Sequence, residues 1–175
     1  MLKIAVVGGG KIGEMICQFL LDSGDYEVTV IDAAQDQLDK LPDAKSLTKQ
    51  CLDVASKPQL LGALDGHYAV LSACPYYLTV QIAECAAEAG AHYFDLTEDI
   101  ASTRAVKEIA KTAKTAFIPQ CGLAPGFISI VANDIASHFD DVDTVSMRVG
   151  ALPEYPTNSL TYNLTWSTDG VINEY

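Results

Sequence analysis

Residues 6 to 15 read VVGGGKIGEM, and what flanks this run decides the fold. A glycine-rich run is either a plain turn or a cradle for phosphate, and only its neighbours separate the two. Before it, residues 2–7 (LKIAVV) form a short β-rich apolar stretch; after it, Ile12, Ile16, Phe19 and Leu20 fall at helical spacing over 11–23. Residues 26–31 (YEVTVI) are again β-branched and end at Asp32, which makes a βαβ unit of about thirty residues. In that setting Gly8, Gly10 and Gly13 satisfy G-x-G-x-x-G, and the acidic residue closing the second strand completes a dinucleotide-binding fingerprint. Gly8 permits the tight turn, Gly10 lets backbone approach a pyrophosphate, and Gly13 lets the helix pack close on the sheet. The pyrophosphate is expected on the free N–H groups of the helix start, with Lys11 and Ile12 beside it, where the helix dipole favours negative charge.

Asp32 can accept both hydroxyls of an adenosine ribose, whereas a 2′-phosphate there would face a carboxylate followed by Ala33, Ala34 and Gln35, with no arginine beside it. The expected cofactor is therefore NAD, with NADP less favoured; a solvated strand-end carboxylate is the plainer alternative. Asp53 follows the third strand candidate, where it either touches adenine or serves as a cap or solvated residue.

Outward from the fingerprint, strands and helices keep alternating. The pattern predicts a helix over 33–41 stopped by Pro42, a weak strand at 46–49, a helix at 58–64, a strand at 68–73 and a helix at 78–89. A strand at 92–96, a helix at 100–112 and a sixth strand at 116–119 follow. Such alternation predicts an α/β fold, a Rossmann doubly wound parallel sheet wrapped on both faces. After Cys121 the rhythm changes: GLAPGF breaks the chain, 128–139 reads as a helix and 144–149 as a strand. Residues 159–166 then alternate Leu160, Tyr162, Leu164 and Trp166 with polar residues, as a half-buried antiparallel strand does, and a helix is expected from near Thr168. Two units are expected: a nucleotide-binding domain over 1–122 and, over 123–175, the beginning of a second.

With 175 residues, a formal charge of −12 and a pI near 4.4, the chain repels phosphate backbones and anionic lipid, so neither nucleic acid nor membrane is an expected partner. Nor does any run of about 18 apolar residues occur to span a bilayer, and a soluble cytoplasmic protein is expected. The five cysteines, Cys17, Cys51, Cys74, Cys85 and Cys121, show neither CxxC nor metal-ligand spacing and are expected to be reduced, small core residues. No metal site is expected.

Beyond the fingerprint the spelling resembles the saccharopine dehydrogenase superfamily. Its small-residue and Pro loop after the fourth strand corresponds to SACPYYLTV (72–80), and its strand ending in Asp to AHYFDLTED (91–99). The segment CGLAPGFISIVAND (121–134) looks like that family's crossing into its substrate domain, and VGALPEYPTNSLTYNLTWSTDGVINEY (149–175) is closest to the lysine 6-dehydrogenase branch. The resemblance implies oxidation at an amine-bearing carbon of an amino acid, with hydride passing to nicotinamide, and a longer polypeptide in which 123–175 are the incomplete beginning of an α+β substrate domain, with a homodimer expected of the full-length protein. A non-catalytic NAD-binding or scaffold protein and a carboxynorspermidine-type dehydrogenase are the other readings.

The protein's share of that chemistry is to align donor and acceptor, deprotonate an ammonium and exclude water. Groups at the carboxyl ends of strands four to six are the candidates, because ligands of open α/β sheets bind there. Ala73, Cys74 and Pro75 would border the nicotinamide with Gly122, while Pro125 and Gly126 shape the hinge. Tyr76 or Tyr77 would line the amino-acid pocket or pack at a domain interface, and Tyr77 is carried forward as a catalytic-site candidate. Asp95 would hold a substrate ammonium or assist proton transfer, or else cap the next helix, a task for which Glu98 and Asp99 also qualify. His67 and His92 read as structural and His138 as exposed. No Cys–His or Ser–His–Asp arrangement points to covalent catalysis.

Overall fold

A computed structural model describes residues 1–150, 154–155 and 157–159. Six strands and six helices alternate: β1 (Leu2–Val7), α1 (Lys11–Ser23), β2 (Tyr26–Asp32), α2 (Gln35–Leu38), β3 (Leu47–Cys51) and α3 (Lys57–Leu64). Then come β4 (Ala69–Ser72), α4 (Tyr76–Ala89), β5 (His92–Asp95), α5 (Ile100–Ala110), β6 (Phe117–Ile118) and α6 (Phe127–Ala136). All pairings in the sheet are parallel and the strand order is β3-β2-β1-β4-β5-β6, the doubly wound arrangement expected.

The strands are apolar on both sides because helices cover both sides. Successive residues of β1 divide between the two cores: Ala5 and Val7 join Ile31, Leu60, Leu64, Ile82 and Tyr93 against α3, α4 and α5, while Val6 joins Cys17, Val28, Val30 and Leu38 against α1 and α2. Helix α4 presents Thr79, Ile82, Ala83 and Ala86 to the sheet at the i, i+3, i+4, i+7 spacing of one face.

The departures from expectation have local causes. Helix α2 is shorter than 33–41, since the amides of Lys40 and Leu41 bond three residues back, to Gln37 and Leu38, and Pro42 follows. Helix α4 starts at Tyr76, so both tyrosines sit in its first turn rather than on a loop. No strand forms at 144–149: its alternating side chains have no neighbouring strand among the described residues, and a strand is stable only when laddered. The expected strand at 159–166, except its first residue, and the helix near Thr168 lie outside the described residues. All five cysteines are free; Cys17 and Cys85 are core residues as expected, but Cys51 is exposed at the end of β3.

Among the described residues no side chain beyond Val106 is fully buried, and Leu123, Phe127, Ile130, Ile135 and Phe139 are all exposed.

Candidate functional site

The glycine loop joins β1 to α1 with its shape set by close approaches. Gly8 has φ 105°, donates to Ile31 O at 2.8 Å, and a Cβ there would lie 2.8 Å from Ala73 O. A Cβ on Gly13 would overlap Gly8 O, so only glycine lets α1 start this near the strand end. At Gly10, the N-cap of α1, a Cβ would meet nothing within 4 Å. That open space in front of the helix start is what an incoming phosphate needs, and no side chain caps the helix's first amides. Lys11 and Ile12 are exposed in the first turn beside it.

Asp32 does more than end β2. Its Oδ2 accepts the Gly9 amide at 2.6 Å and its Oδ1 accepts the Ala34 amide at 2.8 Å, so the carboxylate ties the glycine loop to the β2 end. Gly9 is thereby drawn into the same arrangement: a Cβ added there would lie 3.4 Å from Asp32 Cβ. Asp53 is exposed and accepts the Ala55 amide at 2.9 Å; Ser56, not Asp53, stands at the N-cap of α3.

Across the sheet's midline, the loop after β4 lies against the glycine turn. Ala73 N donates to Val7 O at 2.8 Å and Cys74 Sγ donates to the same oxygen at 3.3 Å. Burial, with a smaller contribution from the Asp32 carboxylate, pushes the Cys74 thiol up to about 12, so it stands neutral beside the glycine turn. Pro75 stands at the N-cap of α4; Tyr76 and Tyr77 meet edge to face at 5.9 Å, with Tyr77 65% exposed.

Asp95, expected to face a substrate, is 1% exposed. Its Oδ1 accepts amides from two loops, Thr97 at 3.1 Å and Gln120 at 3.0 Å, and its carbonyl accepts Cys121 N at 2.7 Å. The cap of α5 is Asp99, whose Oδ1 accepts the Ser102 amide at 2.6 Å. Gln120 escaped notice in the sequence, where nothing distinguishes it; it adopts φ 62°, which few residues other than glycine do. Beyond it Gly122 and Gly126 (φ 134°) form a tight bridge, Gly122 O accepts Phe127 N at 2.8 Å, and a Cβ on Gly126 would lie 2.7 Å from Gly122 N.

The chain's histidines lie elsewhere. His67 Nε2 meets Thr29 Oγ1 at 3.0 Å and His92 Nδ1 accepts Ala116 N at 3.0 Å, both at the amino ends of strands, while His138 is exposed. A cleft of 610 Å³ between α6 and residues 139–148 includes no residue of the glycine loop.

A parallel sheet in this order, with a glycine cradle after β1 and a carboxylate at the end of β2, defines a Rossmann-type dinucleotide-binding domain. The chain belongs to the saccharopine dehydrogenase family: the family model for the saccharopine dehydrogenase NADP binding domain matches residues 4–118. It is 27% identical over 180 residues to the mitochondrial alpha-aminoadipic semialdehyde synthase of Bos taurus, covering 97% of this chain and 19% of that protein. Its fold is similar to apo saccharopine dehydrogenase (L-Glu forming) from Saccharomyces cerevisiae, with a TM-score of 0.74 and 21% identity over 98% of this chain and 40% of that one. A UDP-glucuronic acid 4-epimerase from Bacillus cereus, in complex with NAD, shares the fold over 67% of this chain and 55% of its own, with a TM-score of 0.54 and 15% identity. The chain thus spans well under half of the saccharopine dehydrogenase it resembles. No helix among the described residues is long and apolar enough to cross a membrane.

Proposed function

We propose that this chain is the NAD-binding part of an amino-acid dehydrogenase acting on a C–N bond, of the lysine 6-dehydrogenase or saccharopine dehydrogenase type. The observation that carries the reading is the open cradle at Gly10, held in shape by the Asp32 carboxylate. Amides at the start of α1, with Lys11 and Ile12, receive the pyrophosphate; the tight packing at Gly8 and Gly13 keeps those amides aimed outward. Each Asp32 oxygen accepts one amide and keeps a lone pair for a ribose hydroxyl, and Ala33, Ala34 and Gln35 offer no cation to a 2′-phosphate. This supports NAD over NADP. Asp53 borders the adenine side.

Ala73, Cys74, Pro75 and Gly122 form the nicotinamide side, and the exposed Tyr77 lines the amino-acid pocket. The bound dinucleotide supplies the hydride acceptor. The chain supplies orientation and a dry, uncharged wall at Cys74. In this reading residues 1–122 form the nucleotide unit and residues from 123 open the substrate domain of a longer, homodimeric, cytoplasmic enzyme. Calorimetric titration of the 175-residue protein with NAD and with NADP tests the cofactor reading; tighter NADP binding would show that Asp32 does not face the ribose. A screen of the full-length protein against amino acids, saccharopine and carboxynorspermidine tests the substrate class.

A further inference from the structure

At the carboxyl end of β5 one carboxylate oxygen serves two loops. The Thr97 amide belongs to the turn leading into α5, and the Gln120 amide to the turn leading out of β6; both end on Asp95 Oδ1, at 3.1 and 3.0 Å. Gln120 is held there with φ 62°, and the next residue donates to the Asp95 carbonyl. One residue further on begins the Gly122–Gly126 bridge. The whole loop from Pro119 to Gly126 therefore hangs on Asp95 at its first turn. The other oxygen, Oδ2, is buried and makes no hydrogen bond of good geometry; the Tyr93 hydroxyl beside the carboxylate donates to Thr79 O at 3.4 Å and also acts on the carboxylate's charge. With 1% of its surface exposed, the side chain has no face to offer a substrate.

We propose that Asp95 is a positioning residue whose carboxylate, by tying the Thr97 and Gln120 turns together, sets the place of the Pro119–Gly126 loop at the nicotinamide end of the cleft. The role rests on the cofactor reading above only for the ligand that this loop meets. Burial raises the carboxyl's hold on a proton, and the two amides, with the neighbouring Tyr93 hydroxyl, oppose that. Such a group acts here as an acceptor, and its charge is not required. Asparagine retains an Oδ1 acceptor in the same place, so Asp95→Asn should preserve the tie, whereas Asp95→Ala leaves two buried donors without a partner.

The test compares NADH with ADP-ribose, which lacks the nicotinamide, in the 175-residue protein and both variants, alongside residue-resolved amide exchange. In Asp95→Ala the amides of Gln120 and Thr97 should exchange roughly tenfold faster or more while Gly8 and Val28 stay protected. NADH affinity should fall about tenfold with ADP-ribose affinity unchanged, and Asp95→Asn should match the parent in all three measurements. A merely structural role would weaken both ligands together. Unaltered exchange at Gln120 in Asp95→Ala would overturn the proposal. So would an Asp95→Asn protein that keeps the protected amides yet loses NADH, because the charge itself would then be acting. If Asp95→Ala does not fold, the Asp95→Asn comparison decides. Failure of the parent to bind either ligand would refute the cofactor reading and this loop's role toward it, and amide exchange would still judge the tie.

Discussion

Helices α4 and α6 are both rich in apolar side chains, yet α4 buries Thr79, Ile82, Ala83, Cys85 and Ala86 while α6 buries none of its residues. The first lies on a sheet whose register is complete beneath it. The second follows the Gly122–Gly126 turn, and Phe127, Ile130 and Ile135 stand more than half exposed. Apolar composition marks a residue as able to be buried; burial itself needs a facing surface, which α4 finds in β4, β5 and α5 and α6 does not find among the described residues. Among the described residues, the contrast places the buried core in the part before Gly122.

The strongest way to break the first region is at its tightest contact. Gly13→Val places a Cβ where Gly8 O already stands, with two methyls beyond it, and should cost about 4 kcal/mol or more, leaving no cooperative thermal transition. Next, Ile82→Ala should lower the stability measured by urea unfolding by about 2–5 kcal/mol, against about 0.5 kcal/mol or less for Ile130→Ala on α6. A large loss at Ile130 would mean that α6 is covered in solution. Gly10→Val separates the cradle from the core: with open space around the new side chain the domain should stay folded, while NAD affinity drops about a hundredfold as the phosphate's place is filled. Unchanged NAD affinity in that folded variant would sink the cradle reading.

A gentler probe addresses the second region alone. Exposed apolar side chains clustered on one helix favour association, so replacing Phe127, Ile130 and Phe139 together by Ser should reduce light scattering without altering the melting of the first region. The smallest effect is expected from His67, whose burial holds its pKa below the usual 6.5. The unfolded chain then takes up the proton first, so stability is complete above pH 6.5 and declines as the pH falls toward the lowered value. His67→Gln should flatten that decline in melts at pH 7.5 and 5.5; an equal decline in both proteins would assign it to other groups.

The order of elements was legible because its causes are local. Period-2 and period-3.6 apolar runs, the glycines of the loop and the acidic end of β2 each state a conformation within a few residues, and six strands in the doubly wound order result. The shape of the loops was legible where a residue type is nearly obligatory, as at Gly8 and Gly13, and illegible where any of several would serve. Tyr76 and Tyr77 looked like loop residues because Pro75 precedes them, although proline at a helix start is well tolerated. The alternation at 144–149 looked like a strand because pattern alone does not reveal whether a neighbour exists.

From its sequence alone this chain had a determined fold class and order of elements, since backbone preference and apolar periodicity act at short range. Only the tertiary structure decided that Gly9 donates to Asp32, that Asp95 is shut inside with its oxygen on two loops, and that Gln120 takes a left-handed turn. Those outcomes depend on which strand ends and loops meet across the sheet. Burial and hydrogen-bond partnership are properties of the meeting surfaces, and no residue carries them by itself.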